Sequence, residues 1–174
     1  MNPDPRTAAP PARVPLRLRA HDAEDIKILS TLLQDALVRS ADMSYRPREH
    51  RFVMVANRFC WERIPPAHQD GRAVSSAAGD ARFADDVALY ERIHCGVCVD
   101  HVSQVRFRNL SLAKLDHIHD LLSLHKDDDG IGLLFAGGGE IKLTLATVQI
   151  FATDLGESWP TLWRPGHGPD GDRP

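Results

Sequence analysis

Several stretches of this chain carry residue types that do chemistry. His94-Cys95-Gly96-Val97-Cys98-Val99-Asp100-His101 sets two thiols around a glycine with an imidazole on each side, the ligand types of a zinc site. A structural zinc site needs a second, loop-borne ligand pair, whereas the surrounding residues alternate like a strand, which sends Cys95 and Cys98 to opposite faces. Small buried strand residues are the first reading. A metal-dependent enzyme using a Cys/His site at residues 94–101, joined by His117 or His119, is the alternative. Asp116-His117-Ile118-His119-Asp120 also has the composition of a metal or acid-base cluster. On a helix, residues two apart point in different directions, so these imidazoles diverge and a solvated face is expected. Gly137-Gly138-Gly139 could cradle an anion only between a strand and a helix; the residues after it alternate as a strand, which makes it a hairpin turn.

The arginines point elsewhere. Arg17 and Arg19, and again Arg106 and Arg108, are spaced by two on strand-like segments, opposite Leu16, Leu18, Val105 and Phe107. If the two strands adjoin, the four form a basic patch that Arg46, Arg48, His50, Arg51 and Arg58 could extend. Guanidinium forks suit carboxylate and phosphate, so the patch predicts an acidic protein or a small anionic ligand as partner. The face lacks the interleaved aromatics of RNA-binding sheets. No serine, cysteine or lysine stands in a nucleophile motif, and no cofactor motif is present.

The elements that must position these residues are legible from periodicity. Leu16 laid over Val105 and Arg51 over Glu140 give one offset, 89 residues, without a gap, and Ile26, Leu29, Leu32 and Leu33 then meet Leu115, Ile118, Leu121 and Leu122. The first copy reads as a strand over 14–20, a helix over 23–37 entered at Asp22, a strand over 43–46, a turn at 47–50 and a long strand over 51–62. The second copy repeats this order behind an extra strand over 91–99. Its helix is expected over 111–119, followed by a hairpin across Asp128-Asp129-Gly130; extension of the helix through Lys126 is the alternative. Both long strands change the parity of their apolar residues, at Phe59 and at Val148, which predicts bulges. The fold class is therefore α+β, with duplicated strand-helix-strand-strand halves and a coiled, largely antiparallel sheet, a barrel-like closure being the alternative. Trp159 and Trp163 follow the last strand and are expected to cap the core.

Composition limits the function classes. A chain of 174 residues with a net charge of -3 argues against coating nucleic acid or a membrane surface. Three cysteines, with a proline- and alanine-rich start in place of a secretory leader, predict a reducing, cytoplasmic setting. Proline, glycine and serine clusters predict a disordered arm over 1–13, a loop over 64–86 between pseudo-repeats 14–62 and 89–155, and a disordered tail over 164–174. Residues 14–163 would then form one domain.

The run Leu16 to Ser30, with Pro47-Arg48-Glu49-His50-Arg51-Phe52, Asn57-Arg58-Phe59-Cys60-Trp61-Glu62 and Phe135-Ala136-Gly137-Gly138-Gly139-Glu140-Ile141, resembles a largely alphaproteobacterial family of uncharacterised proteins, domain of unknown function 2948. The resemblance covers about residues 16–155. It implies no catalytic residues. The residues themselves predict a non-catalytic binding or adaptor module with Arg17, Arg19, Arg106 and Arg108 as its ligand-binding residues.

Overall fold

The chain, described here from a computed structural model, is defined over residues 14–64, 90–110, 112–161 and 164–165. The arm, nearly all of the loop over 64–86, Trp163 and most of the tail lie outside the described residues. The first strand, β1 (Arg17–Ala20), leads into the helix α1 (Ala23–Leu33). Asp22 caps α1 by accepting the Asp25 amide at 2.9 Å, and Glu24 and Asp25 place negative charge at its positive end. Ile26, Leu29 and Leu33 form its buried stripe. The helix stops four residues before the 23–37 reading has it end. Gln34 leaves helical geometry, Asp35 adopts a left-handed φ of 58°, and Ala36, Leu37 and Val38 turn out to begin β2 (Ala36–Arg46).

From there the chain is all strand and turn: β3 (Arg51–Phe59), β4 (Tyr90–Val99), β5 (Val102–Arg108), β6 (Ile118–Asp127), β7 (Gly130–Phe135), β8 (Gly139–Leu145) and β9 (Ile150–Thr161). These strands make one nine-stranded antiparallel sheet in the order β1-β9-β4-β3-β2-β6-β7-β8-β5. The sheet is open, with β1 and β5 at its edges. The α+β reading thus holds only in its coarse form, a large sheet with a single helix among the described residues. Residues 112–117 form turns where a second helix was expected. The 89-residue offset also fails to map onto equivalent places, because β5 abuts β8 whereas β9 and β4 separate β1 from β3.

One core runs under both ends of the sheet. It joins the α1 stripe to Phe52, Met54 and Ala56 of β3, Cys95, Val97 and Val99 of β4, and Ile141, Leu143 and Leu145 of β8. Burying a side chain of this size contributes about 1.5–3 kcal/mol. The parity change at Phe59 has a different cause from the expected bulge. The pairing of β3 with β4 is continuous from Phe52 to Phe59, so position 58 still faces inward and holds a fully buried arginine, while Phe59 is buried on the outer face against Trp61 and Tyr90. The irregularity next to β3 is in β2, where residues 39–42 lie between the Val38 pairing with Ala56 and the Met43 pairing with Met54, and Val148 lies beyond the end of β8 rather than at a bulge within a long strand.

Candidate functional site

Alternation along β4 sends Ile93, Cys95, Val97 and Val99 inward and leaves Arg92, His94, Gly96 and Cys98 on the outer face. The register then assembles rows of neighbours that are far apart in sequence. Cys98 lies between Val53 and Phe151, and Phe151 pairs with Arg19; Gly96 lies between Val55 and Thr153, and Thr153 pairs with Arg17. The two rows floor a shallow, largely apolar recess of about 320 Å³, closed at its ends by Leu155 and by Asp42 from the β2 bulge. Gly96 opens the notch, since a Cβ there would sit 3.3 Å from Leu155 Cδ1.

Arg17 and Arg19 do not line this recess but lie beside it, one strand beyond Thr153 and Phe151. Both are exposed, and among the described residues neither has a carboxylate within ion-pair distance. The Arg19 guanidinium lies over the Phe151 ring, 5.3 Å from its centroid. The strand that carries them is short, and it is held by buried charge. The Leu16 amide donates to Asp154 Oδ2 at 2.9 Å, and the Asp154 amide donates back to the Leu16 carbonyl at 3.0 Å. Asp154 also accepts two bonds of 2.8 Å from Arg58, whose remaining Nη bonds go to Glu62 at 2.9 and 3.1 Å. Burial works against the Arg58 charge, but the bonds it donates to Asp154 and Glu62 outweigh it and raise its proton affinity above the ordinary arginine value. Arg58 is therefore no part of a surface patch.

Arg106 and Arg108 occupy the opposite edge. Strands β1 and β5 do not adjoin, so strand pairing does not bring the four arginines into one basic patch. Arg108 is paired with Glu140 at 2.6 Å, and Arg106 donates to Gln104 at 2.9 Å. Opposite Arg106 stands Lys142, itself held by Asp129 at 2.9 Å and Asp127 at 3.3 Å. Of the proposed extensions, Arg51 is bound to Asp100 at 2.6 Å and Arg46 to Glu49 at 3.6 Å.

The Cys/His stretch is divided by its own strand. Cys95 faces the core, and burial pushes its thiol up to about 12; Cys98 faces the recess and donates to Asp100 Oδ1 at 3.8 Å. His94 lies on the outer face against Trp159, their ring centroids 4.7 Å apart. His101 sits in a left-handed turn and bonds Gln149 at 2.9 Å. Among the described residues no group of three or more His, Cys, Asp or Glu is arranged to hold a metal ion. Gly137 and Gly138, with φ of 76° and 78°, turn the chain directly into β8, as a hairpin turn does.

His117 and His119 do not diverge on a solvated helix face as expected: His119 is buried on β6 and their ring centroids lie 4.6 Å apart, and the residue missed in the sequence is the partner of His119. Ser40, in the β2 bulge, places its Oγ 2.9 Å from His119 Nε2, and both side chains are buried. A serine beside a neutral imidazole has the types of a nucleophile and base. Here the amides of Ser40 and Ala41, which could serve an oxyanion, are spent on the carbonyls of His117 and Leu115 at 2.9 and 3.0 Å. The pair is therefore a joint between the bulge and residues 115–119. No local signal announces it, because the partners are brought together only by the pairing of β2 with β6.

Fold and site together define a class: an open antiparallel sheet, one helix packed on its core, and an apolar recess with arginines beside it on the outer face. Over residues 16–167 the chain matches the family model described as a protein of unknown function, DUF2948, and it belongs to that family. No curated protein and no solved structure matches it. Among the described residues no helix is long and apolar enough to cross a membrane.

Proposed function

We propose that this chain is a non-catalytic binding module that docks an acidic protein segment on the outer face of β1, β9, β4 and β3. An apolar residue of the partner would fill the recess over Gly96, and its carboxylates would meet Arg17 and Arg19. The observation that carries this reading is the pair of rows Arg19, Phe151, Cys98, Val53 and Arg17, Thr153, Gly96, Val55, each of which sets a cation without a carboxylate partner among the described residues beside an apolar floor. Guanidinium forks favour carboxylates, and an apolar anchor in a notch supplies contact area beside them. The recess is floored by one sheet face and open above, which suits a segment of a protein better than a small anion that must be enclosed. Three unpaired thiols are in keeping with a reducing, cytoplasmic setting.

The test is fluorescence anisotropy with a labelled peptide in which glutamates flank a central phenylalanine, measured at low and high salt. Salt-sensitive binding is expected, weakened about tenfold or more by Arg17→Ala with Arg19→Ala and within about twofold of unchanged by Arg106→Ala with Arg108→Ala. Equal weakening by the two double variants, or binding that ignores charge, overturns the assignment of the site.

A further inference from the structure

We propose that Ser40 and His119 form an acid-sensitive latch, which holds residues 112–117 against the bulge of β2 and releases them when His119 is protonated. The latch does not depend on what the recess binds. The segment replaces an expected helix with turns, and little apolar burial holds its middle: Leu115 is 62% exposed, and Lys114, Asp116 and His117 are exposed as well. Its attachment to β2 is polar. The Ser40 amide donates to the His117 carbonyl, the Ala41 amide donates to the Leu115 carbonyl, and the buried Ser40 and His119 side chains close the joint at 2.9 Å.

The surroundings of His119 accept a neutral ring and oppose a charged one. Ser40 faces it from β2 and Phe135 from β7, at a ring-centroid distance of 5.8 Å, and neither carries charge. The titratable group acting on it is His117, whose ring lies 4.6 Å away. The charges on the bulge, Arg39 and Asp42, are bonded to each other at 2.9 and 3.2 Å, with Asp116 acting on Arg39. Burial first, and the His117 charge second, hold the His119 proton affinity below the ordinary imidazole value. The sign follows from linkage. The released form, with an ordinary imidazole, takes up the proton first, so the closed form is favoured above about pH 6.5 and loses ground as pH falls below it.

Hydrogen exchange of the Ser40 and Ala41 amides, corrected for the intrinsic pH dependence, tests the latch between about pH 7.5 and pH 5.5. Protection is expected to fall severalfold, with about tenfold as the ceiling that one ordinary imidazole allows over this range, with Ala56 and Val97 in the central strands unchanged, and to become independent of pH in His119→Gln. A fall that persists in His119→Gln, no fall in the unaltered protein, or an equal fall at Ala56 and Val97 overturns the proposal. Should His119→Gln fail to fold, the ring titration of His119 by NMR in the unaltered protein decides. Its midpoint is expected below the ordinary imidazole value, with protection falling between that value and the midpoint, and a midpoint at or above the ordinary value overturns the latch.

Discussion

The two edges of the sheet carry the same local pattern, arginine alternating with an apolar residue, and put it to different uses. On β1, Arg17 and Arg19 border the apolar recess with no carboxylate partner among the described residues; on β5, Arg108 is paired with Glu140 while Arg106 stands opposite the acid-held Lys142. The strands beside them make the difference. β9 offers Phe151 and Thr153 to β1, whereas β8 offers Glu140 and Lys142 to β5. An alternation fixes which face an arginine takes, and the strand next to it decides whether that charge is available to a partner.

The anchoring of the edges differs as well, and it is there that the largest effect is expected. Asp154→Ala removes the carboxylate that holds both the buried Arg58 and the Leu16 amide, and should cost about 3–5 kcal/mol in denaturant unfolding, since it strands a buried charge. A loss below about 1 kcal/mol would mean that β1 is held by something other than this network. Thiol alkylation sharpens the picture of the recess. Cys60 and Cys95, with thiols pushed up to about 11 and about 12 by burial, should react at least about a hundredfold more slowly at neutral pH than Cys98, and the acidic peptide should slow only Cys98. The peptide should lose that protection in the Arg17→Ala, Arg19→Ala double variant, in step with the expected tenfold weakening of binding, about 1.4 kcal/mol. The smallest effect belongs to the other edge. Glu140→Gln breaks an ion pair whose arginine is 69% exposed and should change stability by no more than about 1 kcal/mol, with peptide binding unaltered. Peptide affinity that rises with Glu140→Gln would shift the site to β5 and erase the contrast between the edges.

Much of the local structure was legible. The cap at Asp22, the α1 stripe, the hairpin across Asp128, Asp129 and Gly130, and the opposed directions of Cys95 and Cys98 all follow from short-range spacing. The second helix misled for a definite reason. Leu115, Ile118, Leu121 and Leu122 recur at helical spacing, yet among them only Leu121 is buried, on β6, while Leu115, Ile118 and Leu122 are exposed, so the apolar spacing there marks no buried stripe. Arg58 misled in the opposite sense. By type it belongs on the surface, and Asp154, 96 residues further along, together with Glu62 makes its full burial tolerable.

Of the candidate site, the outward direction of Arg17 and Arg19 was in the alternation of β1, while the recess beside them was nowhere in the sequence. Its floor joins Val53, Gly96 and Phe151 from three strands, and its end wall is Asp42 from a bulge in a fourth. By itself, then, the sequence determined which residues point in or out of each strand, where the helix begins, and which turns reverse the chain, because those depend on backbone geometry over a few residues. The tertiary structure alone decided the strand order, and with it which arginines meet a carboxylate and which meet an apolar floor. Pairing between distant strands depends on the whole core at once, and no local spacing records it.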